Sequence, residues 1–377
     1  MSANTLNVRV LTNRSSKGGG EPFLTVAIPH YKHRRYLEGV LASLFEQTYQ
    51  DFEIVVSDDC SPDDSSAVIP ALLEKSGRPF RYYSQPANLG YDGNVRFCLK
   101  SAAGRYILLL GNDDAASSPT ALQDIARALH NLDFPEVAFT NYEDWGTHEV
   151  VHRAYATALL GSGPRVAVRH FRNFSFVSGL IYDRRAARQH ETDRWDRSIY
   201  YQIYIACRIL AAGGRLAALS ISAVRKDVRV DGQAVPNNYV AMGAAAGWSF
   251  KPRQTGLDSV IRVTADAVLP LVPERERSRM LLHIVAPVFK YTYTFWLFEY
   301  RRIANWSASV GIARSMRPVR LLSEYKLKIH DRFYLYALYC VATMIGLLFP
   351  AAIFNQLRPK LSDFIRYKLQ TKSTVEQ

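Results

Sequence analysis

The sequence predicts an α/β protein, a mostly parallel sheet with helices on both faces, followed by a helical C-terminal region. Three observations carry that prediction. Between Leu24 and Leu110, short apolar runs alternate with segments whose apolar residues recur at helical spacing. Acidic residues stand just after successive runs, where parallel strands would bring them to one rim. Beyond about Asp231 the strand-like runs give way to aromatic-rich helical stretches.

Leu24-Thr25-Val26-Ala27-Ile28, stopped by Pro29, reads as a buried parallel strand. Leu37, Val40, Leu41 and Leu44 then recur at helical spacing after His33-Arg34-Arg35, and residues 52–56 form the next apolar run. Together they make one βαβ unit. A helix over about 67–75, a strand near 81–84, a helix over about 94–102 and a strong strand at 106–110 continue the alternation. After the strands come Pro29-His30-Tyr31, Ser57-Asp58-Asp59 and Gly111-Asn112-Asp113-Asp114. Carboxylates gathered at a ligand-binding rim suit a divalent cation.

A chain of 377 residues accommodates one large domain plus a smaller appended region. With 48% hydrophobic and 21% charged residues it is neither disordered nor collagen-like. The formal charge of +13 calls for anionic company, and nucleic acid, an acidic membrane or a phosphorylated substrate would all qualify. No helix-turn-helix, zinc or RNP-like signature accompanies the charge, so nucleic acid is not the expected partner. Cys60, Cys98, Cys207 and Cys340 lie far apart without a C-x-x-C pair, which argues against a zinc knuckle or a disulfide framework and suits reduced thiols. Residues 1–21, polar and rich in glycine near their end, read as a flexible arm with no signal sequence.

Residues 281–300 and 333–354 read as helices, and the second contains no charged residue. It is long enough to span a bilayer, yet Gly346 and Pro350 interrupt it and its aromatic side chains suit an interface. Lys326, Lys328 and Arg332 precede it, and Arg358, Lys360 and Arg366 come after it. Cations on both sides fit a helix lying in or dipping into the membrane surface better than a simple crossing. A true crossing and a buried helix of a C-terminal subdomain are the alternatives.

Four blocks stand in a telling order. They are Val26-Ala27-Ile28-Pro29-His30-Tyr31, the long block from Leu44 through Gln47-Thr48-Tyr49 and Ser57-Asp58-Asp59 to Ser61-Pro62-Asp63, then Asn88-Leu89-Gly90, and Ala103-Gly104-Arg105-Tyr106-Ile107 leading into Asn112-Asp113-Asp114. In this order they closely resemble the N-terminal half of family 2 glycosyltransferases, specifically over residues 23–114 and more weakly to about Gly214. The resemblance implies a GT-A fold, Rossmann-like, over residues 22–230, while residues 231–377 read from their own composition as a helical, aromatic-rich, membrane-associated region. It also implies inverting transfer of a sugar from a nucleotide-sugar donor to a hydroxyl of a saccharide acceptor.

Carried onto this sequence, the resemblance puts Pro29 and Tyr31 on the nucleotide side, with Tyr31 against the base. Asp59 would accept a hydrogen bond from the base, Asp113 would face the ribose, and Asp114 would hold Mg2+ or Mn2+. Those roles suit the chemistry, because a departing diphosphate accumulates negative charge that a carboxylate-held cation stabilises. Each has a plainer alternative: an Asp-Asp pair after a strand also serves as a cap or turn, and a tyrosine often simply packs. Asn88 and Asn94 read as turn and capping residues.

Two departures from the family pattern stand out. A further aspartate often opens the metal motif, and here that place is Gly111. On the acceptor side, Trp195-Asp196 supplies the expected aromatic-Asp turn, but Gln202 occupies the usual place of the general base and cannot take a proton. A neutral hydroxyl needs a base to attack. Asp193 is the favoured candidate, with Glu191, His190 and Asp196 as others, and Phe176-Val177-Ser178-Gly179 resembles the acceptor-side loop. The basic stretch Arg225 to Arg229 either holds diphosphate or is a solvated face. By analogy, the acceptor is polyprenyl-diphosphate-linked, and the protein acts at the cytoplasmic side of a bacterial cell membrane in surface polysaccharide synthesis. The alternative is a non-catalytic nucleotide-sugar-binding or assembly protein.

Overall fold

The computed structural model describes residues 9–13, 20–235, 257–303, 305–350, 352–354 and 356–357. The chain forms two compact units. The first comprises Met1–Gly163, Arg172–Arg197 and Gly213–Val235, and the second Pro164–Phe171, Ser198–Ala212 and Pro236–Gln377.

The first unit is built on one eleven-stranded sheet. Its parallel half holds β2 (Leu24–His30), β3 (Phe52–Asp58), β4 (Phe80–Ser84) and β5 (Tyr106–Leu109), linked by α1 (Arg34–Phe45), α2 (Ser65–Ser76) and α3 (Gly90–Ser101). Every residue of β3 is buried, and only Pro29 of β2 is partly exposed, which is why both read as continuous apolar runs and not as alternating ones. Leu37, Val40, Leu41 and Leu44 form the buried stripe of α1, as their spacing predicts.

The other half is mixed. β7 (Val137–Asp144) and β11 (Arg215–Lys226) run parallel, but β10 (Leu180–Asp183) lies antiparallel between β5 and β7. An apolar run carries no record of its direction, so the expected mostly parallel sheet becomes a mixed one here. Helix α4 (Ala121–Asn131) packs on β11 through Leu122, Ile125 and Leu129. Arg9–Asn13, within the expected arm, forms an edge strand antiparallel to β4, while most of that arm lies outside the described residues.

The second unit is helical in its described residues. Helices α5 (Pro164–His170), α6 (Tyr201–Ala211) and α7 (Leu257–Val268) pack together, and α6 is buried over almost its whole surface. The stretch expected as one helix at 281–300 is α8 (Glu274–Pro287), a π-helical segment Val288–Tyr293, and α9 (Thr294–Ile303). Pro287 lacks an N–H for the ladder, which fits an irregularity at that point. Helix α10 (Trp306–Ser315) leads through a short helix, Pro318–Leu321, to α11 (Ile329–Leu348). The helix expected at 333–354 thus starts earlier, with the mostly polar turn Ile329-His330-Asp331-Arg332, and ends where Phe349 turns extended before Pro350. Arg358, Lys360 and Arg366 lie outside the described residues.

Candidate active site

The carboxyl rim of the parallel strands assembles from three turns. The first comes after β2. His30 is fully buried, with Nε2 2.9 Å from Ser65 Oγ and Nδ1 3.0 Å from Asn112 Nδ2. The Asn112 amide nitrogen also faces the Lys32 carbonyl at 3.2 Å, so it is the donor, and His30 Nδ1 must accept. The proton then sits on Nε2 and points to Ser65, whose hydroxyl donates to Asp63. Burial pushes the imidazole down to about 4, against the pull of Asp58 and Asp63, so His30 is a neutral tie between turns. Next to it, Pro29 is partly buried and Tyr31 is 41% exposed. Lys32 and His33 both take left-handed backbone, a strained bend of the kind that collects at ligand sites.

The second turn comes after β3. Asp58 accepts Tyr82 O–H at 2.6 Å and the Ser61 N–H at 3.0 Å. Asp59, also buried, accepts the backbone N–H groups of Leu89 at 2.6 Å and Gly90 at 3.0 Å, at the start of α3. Burial raises its carboxyl above the usual range and those two N–H groups hold it down. Each oxygen keeps a further lone pair for a ligand donor. Asn88 gives its amide to the Asp59 carbonyl, and Asn94 donates to Ser57 and His30 carbonyls, so both act in the turns.

The third turn carries Asp113 and Asp114. The Asp114 carboxylate, 3% exposed, accepts the Ser178 hydroxyl on Oδ2 and the Asp227 N–H at 3.0 Å on Oδ1. Val228 N–H donates to the Asp113 carbonyl at 2.7 Å, so the turn leaving β11 clamps both residues. Ser178 also accepts the Gly111 N–H at 2.8 Å. Burial and the charge of Asp113 push the Asp114 carboxyl up to about 7. Asp113 is raised by burial and then by Asp227. Burial first, and the neighbouring acids second, therefore disfavour the charged form of both carboxylates. A Cβ at Gly111 would lie 3.0 Å from Asp114 Oδ2 and 3.1 Å from Asp113 Oδ1. A side chain at that place would crowd both carboxylates, which accounts for glycine where the family often has aspartate.

Arg153 holds this region from behind. It is buried and donates to the carbonyls of Thr140 at 2.6 Å, Phe176 at 3.1 Å and Ser178 at 2.7 Å. Gly179 beside it has φ +81°, and a Cβ there would meet Thr140 Oγ1 at 2.3 Å. The Phe176-Val177-Ser178-Gly179 loop therefore supports Asp114. Sequence reasoning assigned no role to His30, Arg153, Ser178 or Asp227. His30 and Ser178 stand inside the quoted motifs, whereas Arg153 and Asp227 carry no local signal.

The base candidates fall in different places. Arg96 of α3 forms a two-pronged ion pair with Asp196, at 2.7 and 3.1 Å, and reaches Glu191 at 3.2 Å. Asp193 is exposed in the same loop. Gln202 is buried on α6 in the second unit. In the basic stretch, Arg225 pairs with Glu143, and Lys226 pairs with Asp227 at 2.7 Å.

A sheet with its acidic turns gathered at the carboxyl rim and helices on its faces defines a GT-A-type domain. The chain matches, over residues 25–175, the sequence model described as glycosyl transferase family 2. It is 37% identical over 111 residues to an uncharacterized protein of Mycobacterium tuberculosis, covering 29% of this chain and 34% of that one. It is 33% identical over 93 residues to the GalNAc(5)-diNAcBac-PP-undecaprenol beta-1,3-glucosyltransferase of Campylobacter jejuni, covering 25% of this chain and 30% of the relative. The chain thus spans about a third of the length of these relatives. Among solved structures, residues 1–349 of Staphylococcus aureus TarS in complex with UDP-GlcNAc share the fold. That match has a TM-score of 0.57 and 15% identity, over 87% of this chain and 93% of that one.

Proposed function

We propose that this protein transfers a sugar, with inversion, from a nucleoside-diphosphate sugar to a hydroxyl of a lipid-linked saccharide acceptor. The observation that carries the reading is the Asp113-Asp114 turn, clamped by Ser178 and residues 227–228 at the rim of a family 2 domain. Asp59 and Tyr31 line the nucleotide side and Asp113 takes the ribose. The name of the Campylobacter relative, which acts on an undecaprenol-linked saccharide, supports a polyprenyl-linked acceptor. The apolar helix Ile329–Leu348 supports work at a membrane, here the cytoplasmic side of a bacterial cell membrane.

The residues present suit a divalent cation in part. Among the described residues no three His, Cys, Asp or Glu side chains form a ready-made ligand set. The raised Asp114 carboxyl, with Asp113 beside it in the same turn, fits a site that one or two carboxylates share with donor phosphates. Asp114 would hold Mg2+ or Mn2+ there, supplying charge stabilisation for the leaving diphosphate. Asp193 is the proposed proton acceptor, because Asp196 and Glu191 are engaged by Arg96 and Gln202 is an amide.

A second reading, a non-catalytic nucleotide-sugar-binding protein, is favoured by the buried Gln202 at the usual base position. Membranes containing the protein are to be incubated with manganese and radiolabelled UDP-, GDP-, dTDP- and CDP-sugars, and lipid-linked products extracted. Label entering the lipid fraction from one donor, and lost in Asp114→Asn, supports transfer and names the donor. Donor binding without transfer to any acceptor would favour the second reading.

A further inference from the structure

We infer that helix α11 docks the protein face-down on an anionic bilayer surface and does not cross it. The inference deepens the membrane part of the proposed function and rests on it. Length alone allows either mode, because 20 residues of helix extend about 30 Å, the thickness of the hydrocarbon core. The two faces of the helix decide the matter.

Its outer stripe is apolar and exposed: Phe333 (69%), Val341 (47%), Met344 (55%), Ile345 (45%) and Leu348 (73%) recur at helical spacing. Its inner stripe, Asp331, Leu335, Ala342 and Gly346, is buried within the second unit. That inner face is tied down along its whole length. At the start, Ser278 of α8 donates to Asp331 at 2.6 Å and accepts the Lys328 N–H at 2.9 Å. In the middle, Tyr339 O–H reaches the Ala313 carbonyl of α10 at 2.7 Å. At the end, Arg301 of α9 donates to the Gly346 and Phe349 carbonyls at 3.0 and 2.9 Å. A Cβ at Gly346 would lie 2.4 Å from Leu297 Cδ1, so the two helices touch closely there.

A crossing would either strip these bonds or draw Arg301 and Asp331 into hydrocarbon, both costly. Lying flat needs neither and buries the outer stripe. The occupant is an anionic lipid surface and not a second protein, because exposed Arg317, Arg320, Lys326, Lys328 and Arg332 precede and open the stripe.

Cys340 provides a native depth gauge, since it is exposed near the middle of α11. Cys98 and Cys207 are buried, so a Cys60→Ser full-length chain offers it as the accessible thiol among the described cysteines. That protein is labelled with an environment-sensitive fluorophore and reconstituted by detergent removal into phosphatidylcholine vesicles with or without phosphatidylglycerol. Flat docking predicts a blue shift with the anionic vesicles, weakened by salt, and stronger quenching by shallow than by deep nitroxide lipids. Stronger deep quenching would overturn the inference in favour of a crossing. No shift with either vesicle would overturn it together with the membrane part of the proposed function.

The unlabelled Phe333→Glu, Leu348→Glu double variant changes only exposed side chains. It should lose about a hundredfold in vesicle affinity by flotation while binding nucleotide sugar as before. Unchanged flotation would refute docking through this face. A protein that docks as described but binds no nucleotide sugar would sink the transferase reading and leave docking intact.

Discussion

Asp114→Asn should stabilise the metal-free protein above neutral pH while removing its metal-supported donor binding. In the folded chain the Asp114 carboxyl is pushed up to about 7 by burial and by Asp113, whereas in the unfolded chain it titrates near about 4. A raised acid contributes its stability only while protonated, so the contribution is full below about pH 4 and lost as pH rises toward 7. A gap of about three pH units corresponds to roughly 4 kcal/mol, all of it absent from a neutral amide. The asparagine keeps both contacts, because its carbonyl can accept the Asp227 N–H and its amide can donate to Ser178 Oγ. Melting in EDTA should therefore give matching midpoints for variant and wild type near pH 4. Near about pH 8 the variant should melt several degrees higher. Manganese with a nucleotide sugar should then raise the midpoint of the wild type alone. A variant no more stable than wild type at the higher pH would refute the claim that Asp114 carries a buried, destabilising charge.

Other consequences are open to measurement. His30, lowered to about 4, contributes stability above about pH 6.5 that disappears as pH falls, so His30→Asn should flatten the acid limb of a urea-midpoint profile. The same variant should cost about 1–3 kcal/mol at neutral pH through its altered ties to Ser65 and Asn112. Gly179→Ala forces a side chain into φ +81° and onto Thr140, and about 3 kcal/mol or more of lost stability should appear as poor soluble yield and a lower melting midpoint. Ser178→Ala leaves the Gly111 N–H and a buried carboxylate without their shared partner, so donor affinity in the presence of manganese should fall about tenfold or more. Asp193→Asn should lower turnover by about a hundredfold or more with donor affinity unchanged, and full activity would remove it as the base.

Much of the first unit was legible in the chain. The runs at Leu24–His30 and Phe52–Asp58 are buried on both faces, so they are mostly apolar, and a buried exception such as Glu53 is paired, here with Thr25 and Arg81. The Leu37, Val40, Leu41 and Leu44 stripe announced its helix for a different reason, because only one face of it is buried. The acidic turns were legible too, because parallel strands carry the residues at their carboxyl ends to one rim, whichever path the loops take.

The direction of β10 was not legible, nor was the identity of the groups that hold Asp114. Ser178, Arg153 and residues 227–228 approach that carboxylate from segments tens of residues away, and a contact over that separation leaves no periodic trace. The charged run from Glu191 to Arg197 looked like a reservoir of bases. Arg96, a hundred residues earlier, turns two of its acids into an ion pair. Likewise composition makes Ile329–Leu348 apolar enough for a membrane, and only the partners along its inner face say how it can meet one. Local pattern records how far each residue must leave water, whereas which charges meet is decided by the folded chain.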